Sequence, residues 1–195
     1  MNRRSFVKDA ALLCTLGRLS TKSIFASAQA MAEKHAPAAG DAIDASHIPR
    51  GRGFNLQGRF SMPQRPYDGP AYEEFDFATM AEWGFDFTRL PLWYWVWGSR
   101  DDWSDIREEP LKKIDQTVEL GHQHGIPINL NFHRIPGYCI NGRELEPADL
   151  FTGAKAERDR ALAASVYHGK AFAHRRKGIP NRRLSFDLIN EPPMM

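Results

Sequence analysis

Residues 184–193 read Leu-Ser-Phe-Asp-Leu-Ile-Asn-Glu-Pro-Pro, and this stretch decides the fold. The run from Leu184 to Ile189 is short and mostly apolar, which is typical of a buried strand. An amide and a carboxylate, Asn190 and Glu191, follow at once, and the two prolines prevent the strand from continuing. The pattern therefore predicts a strand with polar side chains at its carboxyl end.

Working back along the chain, the same kind of unit recurs. Apolar runs predict strands over 53–56, 86–90 and 126–132. Between the strands, apolar residues at helical spacing predict three helices, the first capped by Asp76, and each helix is followed by glycine. The helix positions are Phe77, Met80, Ala81 and Phe85; Leu111, Ile114, Val118 and Leu120; and Ala161, Ala164, Val166, Ala171 and Phe172, and the terminating glycines are Gly84, Gly121, Gly125 and Gly178. Alternating strands and helices predict a parallel α/β sheet.

Two parallel architectures compete, an open doubly wound sheet and a closed barrel. A nucleotide-binding open sheet should carry Gly-x-Gly-x-x-Gly after its first strand, but the spacing that begins at Gly51 and Gly53 fails. Polar residues instead stand just past the predicted ends of successive strands: Arg89, His133 and Asn190-Glu191. A (β/α)8 TIM barrel builds its active site at that position. Because such a barrel needs ~250 residues, we expect only about the first four β/α units here.

The first thirty residues have the order of an export signal. The basic start Asn2-Arg3-Arg4-Ser5-Phe6-Val7-Lys8 precedes an apolar run and two Ala-x-Ala-like cleavage sites near residue 30. The arginine pair resembles the twin-arginine signal, which would place the protein in the periplasm or outside the cell. Residues 31–50 lack periodicity and are predicted to be a flexible lead-in. The domain prediction is therefore a signal over 1–30, a lead-in over 31–50 and the first half of a barrel over 51–195.

Composition excludes several classes of function. The 195 residues carry 26 basic and 24 acidic side chains, and loss of residues 1–30 would leave 21 against 23, so no nucleic acid partner is expected. No apolar run is long enough for a membrane anchor. Metal-ligand spacing is missing, so neither a metal nor another cofactor is predicted. With Cys14 in the signal, Cys139 would remain alone, and no internal disulfide is expected.

Each candidate site residue also has a plain structural interpretation. Glu191 could be a solvated loop carboxylate, His133 a packed or capping histidine, and Arg89 an ion-pair partner inside the barrel. The aromatic run Trp93-Tyr94-Trp95-Val96-Trp97, with Trp103 beyond it, could be core. Placed in a loop after the second strand, the same rings would suit stacking on sugar rings.

Three motifs in order resemble glycoside hydrolase family five, the cellulase-like family. They are Arg-Leu-Pro at 89–91 leading into Tyr94-Trp95, His133-x-x-Pro136-Gly137, and Asn190-Glu191-Pro192. The resemblance implies a secreted O-glycosyl hydrolase that cleaves a polysaccharide or oligosaccharide with retention of configuration. It covers residues 51–193, although Asn-Glu-Pro alone is shared by the wider clan of retaining barrel glycosidases.

The resemblance also implies roles. Glu191 would be the general acid/base, Asn190 would hold the sugar 2-hydroxyl, and Arg89 would support the nucleophile. His133 would line the sugar subsite, and Tyr94 and Trp95 would help form a sugar platform. The family's nucleophile comes from the seventh strand, so none is expected here, and the chain alone should be inactive and prone to aggregate at its open sheet edges. Asp187 is predicted to face the same side as Ile189, away from the mouth, and so to be a poor substitute.

Two alternatives stay open. One is a non-catalytic carbohydrate-binding protein on a barrel scaffold, in which Trp93, Tyr94 and Trp95 matter and Glu191 does not. The other is an unrelated α/β-barrel hydrolase or lyase in which Glu191 acts as a different base.

Overall fold

The computed structural model describes residues 51–61 and 69–193. The predicted export signal and lead-in lie outside these residues. No helix among the described residues is long and apolar enough to cross a membrane.

Four parallel strands alternate with three α-helices. The strands are β1 (Gly53–Asn55), β2 (Phe87–Trp93), β3 (Ile128–Arg134) and β4 (Leu184–Asp187), and the helices are α1 (Glu74–Glu82), α2 (Glu108–Gln123) and α3 (Lys155–Arg175). Within the described residues the strands lie side by side in chain order, β1-β2-β3-β4, and every pairing is parallel. This order is that of successive units of a (β/α)8 barrel, so the predicted fold class is confirmed as a partial barrel.

Two predicted strand ends are wrong in a way that bears on the site. β2 runs on through Pro91 to Trp93, and β3 runs on to Arg134, so Arg89 and His133 lie within their strands and not beyond them. Proline is tolerated because β1 has already ended beside it. On that side of β2 the Leu56 amide donates to the Arg89 carbonyl at 2.8 Å, and the next bond joins the Trp93 amide to the Phe60 carbonyl at 2.8 Å, so Pro91 lies between the two. The missing N–H of Pro91 therefore costs no ladder bond.

The helices form where their periodicity predicts, with shifted ends. α1 begins at Glu74, and Asp76 caps it from inside the first turn because its Oδ2 accepts the Glu73 amide at 2.8 Å. Phe85 lies beyond that helix. Gly121 does not end α2 but lies within it, where a side chain would meet the Ile126 carbonyl. The left-handed Gly125 follows the helix end, as predicted.

The core lies between the central strands and the helices. Leu90, Leu92, Leu130 and Phe132 from β2 and β3 are buried, and Phe77, Ile114 and Phe172 from the three helices pack against them. β1 and β4 are the edges of the described sheet, and their residues are mostly exposed. Apolar residues of the described sheet are therefore well covered only around the two central strands.

Candidate active site

Arg89 lies at the centre of a polar cluster on the inner face of the sheet. Its Nη2 donates to Asp187 Oδ2 at 3.0 Å and to Asn190 Oδ1 at 2.6 Å, and its Nη1 donates to Asn55 Oδ1 at 3.2 Å. Three of the four strands thus contribute to one guanidinium, since Arg89 is on β2, Asn55 on β1 and Asp187 on β4. The fork of donors suits this, because a guanidinium has five N–H groups in a fixed plane.

A second branch of the cluster leads from Asp187 to His133. Asn131 Nδ2 donates to Asp187 Oδ2 at 2.7 Å, and the Asn131 Oδ1 lies 3.2 Å from Nδ1 of His133. Asn131 and His133 are two residues apart on β3, so their side chains share a face. Burial, followed by the charge of Arg89, lowers the pKa of His133, so the ring is neutral near pH 7.

Asn190 and Glu191 follow β4 in a turn. Asn190 is 3% exposed, its backbone amide donates to the Phe132 carbonyl at 3.2 Å, and its side-chain Nδ2 has no hydrogen-bond partner. Glu191 is exposed and is the non-glycine residue with positive φ, at 47°, among the described residues. Its carbonyl accepts the Tyr138 hydroxyl at 2.5 Å, which ties this strained turn to the loop after β3.

The predicted interpretation of Asp187 is wrong. Its carboxylate does not stand apart from the mouth residues but bonds to Arg89 and Asn131. Alternation along a strand holds only while the strand continues, and β4 ends at Asp187, after which the chain bends through Ile189, Asn190 and Glu191.

Tyr94 and Trp95 do not form an open platform. Tyr94 is 0% exposed and Trp95 is 3% exposed, because the chain after β2 folds inward as a 3₁₀ turn and does not extend as a loop. Trp97 and Trp103 are buried as well. Only Trp93 of this run is partly exposed, so core packing explains most of the aromatic segment.

A buried ion pair supports this aromatic core. Arg134 Nη1 and Glu146 Oε1 are 2.7 Å apart, with side chains 2% and 0% exposed. Glu146 also accepts the Tyr94 hydroxyl at 2.8 Å, and burial and the Glu146 charge raise the pKa of that hydroxyl. The Arg134 guanidinium lies 4.2 Å from the Trp95 ring centre and 4.8 Å from that of Trp93.

Sequence reasoning missed Asn55, Asn131, Arg134 and Glu146. Asn131 could have been found, because it stands two residues before His133 in a strand and must share its face. The pairing of Arg134 with Glu146 could not, because it joins a strand to a loop whose path the sequence does not reveal.

The cluster does not have the composition of a metal site. Among the residues that the structure describes, no group of three His, Cys, Asp or Glu side chains is arranged to hold an ion. The polar cluster offers instead a carboxylate at Glu191, an amide donor at Asn190 and a neutral imidazole at His133. Such groups, brought together by successive strands of a partial barrel, are of the kind that barrel enzymes use in their active sites.

The chain is similar in sequence and in fold to known glycoside hydrolases. The chain is 28% identical over 144 residues to Cellodextrinase A of Ruminococcus flavefaciens. The matched region is 72% of this chain and 40% of that relative. A solved glycoside hydrolase superposes with a TM-score of 0.67 at 33% identity over 74% of this chain and 43% of that one. A trimodular GH5 subfamily 4 endoglucanase shares the fold, with a TM-score of 0.58 at 16% identity over 74% of this chain and 26% of that one.

The resemblance to glycoside hydrolase family five is thereby confirmed. No family model matches the chain. The chain spans about two fifths of the length of the curated relatives that it matches over most of its own length.

Proposed function

We propose that this chain is part of a retaining glycoside hydrolase in which Glu191 is the general acid/base. The observation that carries the proposal is the pairing at the end of β4: Asn190 is buried and held by Arg89, its Nδ2 is unpartnered, and the exposed Glu191 stands beside it. A buried N–H without a partner costs about 1–3 kcal/mol. A sugar hydroxyl would supply the missing acceptor.

The chemistry divides between two carboxyl groups. Glu191 would protonate the leaving glycosidic oxygen as a second carboxylate attacks the anomeric carbon, and would then take a proton from the water that releases the sugar. The family resemblance puts the second carboxylate on the seventh strand of the barrel, which is not among the four strands described. Asn190 would bind the 2-hydroxyl, His133 would line the subsite, and Arg89 would support the attacking carboxylate.

The substrate class follows from the names of the relatives. Cellodextrinase and endoglucanase point to a β-linked glucan or its oligosaccharides, and other relatives named glucan 1,3-beta-glucosidase leave the linkage open. The alternative of a non-catalytic binding protein loses support, because it depended on an open platform and two of its three rings, Tyr94 and Trp95, are buried.

The test is Glu191→Gln in the protein expressed at its native locus, assayed on two aryl β-cellobiosides. With a poor leaving group such as phenolate, the glycosylation step should slow by about 10²–10⁴-fold, because the general acid is lost. With dinitrophenolate, which leaves without protonation, the same step should slow far less.

Glu109→Gln is the matched control, since its side chain is 74% exposed on α2. It should leave both rates unchanged. Equal losses on both substrates would assign Glu191 a role other than acid/base, and full activity of Glu191→Gln would rule it out of the reaction.

Export is part of the same proposal. The basic, apolar and Ala-x-Ala segments within residues 1–30 support cleavage near residue 30 and release outside the cytoplasm by the twin-arginine route. The intact mass of the protein recovered from its host should lack the signal, and an uncleaved amino terminus would contradict this.

A further inference from the structure

Asp187 has no role in the proposed reaction, yet it joins both branches of the candidate site. One oxygen, Oδ2, accepts from Arg89 at 3.0 Å and from Asn131 at 2.7 Å. A carboxylate can only accept hydrogen bonds, so both neighbours must point donors at it. In the Asn131 branch that constraint passes outward, and in the Arg89 branch Asp187 holds in place a guanidinium that has only donors.

In the first branch, the constraint fixes a histidine tautomer. Because Asn131 must donate through Nδ2, its Oδ1 faces His133 and can only accept. The proton of the neutral imidazole must then be on Nδ1, which leaves Nε2 as a lone-pair acceptor. No described residue is bonded to that Nε2.

In the second branch, the guanidinium that Asp187 holds in place fixes an amide orientation, because it can only donate. The Arg89 Nη2 that donates to Asp187 also donates to Asn190 Oδ1 at 2.6 Å. The oxygen of the Asn190 amide is therefore turned toward the guanidinium, and Nδ2 is left as the unpartnered donor.

We propose that Asp187 is a positioning residue that sets the hydrogen-bond polarity of the sugar site, with His133 Nε2 as an acceptor and Asn190 Nδ2 as a donor. The inference rests on the proposed function for its ligand, a sugar with a hydroxyl at C2. Asp187 itself need not touch the sugar. It acts by removing the alternative amide and imidazole arrangements, which would present the wrong atom to the hydroxyls.

Nitrogen NMR of His133 and His168 tests the first branch without any assay of activity. His133 should be the Nδ1–H tautomer in the wild-type chain. His168 provides an internal reference of opposite type, because its Nδ1 accepts the Trp97 indole N–H at 2.9 Å and its Nε2 lies 2.8 Å from the Trp103 carbonyl. His168 should therefore be the Nε2–H tautomer in every variant that keeps its fold.

Two variants separate the branches. Asp187→Ala should release both, so that the Nε2–H form of His133 becomes populated and the Asn190 side-chain amide signal shifts. Asn131→Ala should release only His133 and leave the Asn190 signal in place. Asp101→Ala, at an exposed position on the loop after β2, is the control and should change neither.

The outcomes are decisive. A wild-type His133 in the Nε2–H form, or one averaged between tautomers, overturns the proposal, and so does an unchanged His133 in an Asp187→Ala variant that keeps its fold. If Asp187→Ala also alters His168, that variant has lost its fold, and the tautomer of His133 in the wild type decides. A titration with cellobiose and its 2-deoxy analogue separates the two proposals: absence of binding by the wild type counts against the proposed function, whereas the tautomers judge Asp187 alone.

Discussion

Glu146→Gln should be among the most destabilising single substitutions in this chain. The carboxylate is 0% exposed and bonds to Arg134 at 2.7 Å, to the Tyr94 hydroxyl at 2.8 Å and to the Gly137 amide at 3.3 Å. Glutamine retains one acceptor oxygen but leaves the guanidinium, itself 2% exposed, without a counter-charge. Breaking a buried pair from one side costs about 3–5 kcal/mol.

A surface pair in the same chain gives the matched control. Lys155 and Asp159 also form an ion pair, but their side chains are 81% and 61% exposed. Asp159→Asn should therefore cost less than about 1 kcal/mol. The contrast between the two variants isolates burial, because both remove one carboxylate from an ion pair.

The assay is urea unfolding followed by tryptophan fluorescence, which is sensitive here because Trp93 and Trp95 flank Arg134. The double variant Arg134→Met/Glu146→Leu should lose less free energy of unfolding than Glu146→Gln alone, because it removes both buried charges together. Equal losses for Glu146→Gln and Asp159→Asn, or a double variant that equals the sum of its single variants, would refute the reasoning.

Three further predictions concern histidine, backbone strain and glycine. Burial lowers the pKa of His168 below 6.5, so the free energy of unfolding should be highest above that pH. It should fall as the pH drops toward the folded pKa, by up to about 1.4 kcal/mol per pH unit. His168→Gln should flatten this slope in urea titrations at several pH values, and an equally steep slope in the variant would contradict the prediction. At the positive φ of Glu191, Glu191→Gly should be more stable than Glu191→Ala by about 1–2 kcal/mol; equal melting temperatures would argue against strain. Gly121→Ala should lower the free energy of unfolding by about 1–3 kcal/mol, because the added carbon would lie 2.7 Å from a backbone oxygen. Gly169→Ala should raise it by about 0.5–1 kcal/mol, because the nearest atom to the added carbon is 4.0 Å away. Calorimetry that shows the same sign for both variants would be inconsistent with the packing.

The order of elements was predictable because periodicity is a local property. Apolar spacing located each strand and helix, and the positions of Arg89, His133 and Asn190 on successive strands were enough to choose a barrel over an open sheet. Strand ends were less predictable. Pro91 suggests an end when β2 is considered alone, and only the early end of β1 beside it explains why the strand continues.

The polar contacts of the site were less accessible than its location. Asp187 was misjudged because the period of two was extended past the residue where β4 ends. Tyr94 and Trp95 were expected at a surface, although a 3₁₀ turn directs them into the core beside a buried ion pair. Composition and spacing encode neither the residue at which β4 ends nor the packing of the 3₁₀ turn against segments distant in sequence.

Chemical-shift mapping of a cello-oligosaccharide on the isotope-labelled chain tests the central claim most directly. The account predicts that the shifts concentrate on Arg89, His133, Asn190 and Glu191, which lie on β2, on β3 and after β4. Shifts that concentrate instead on the outer groove between Trp103 and Tyr167, or no shifts at saturating sugar, would contradict the assignment of this cluster as the sugar site.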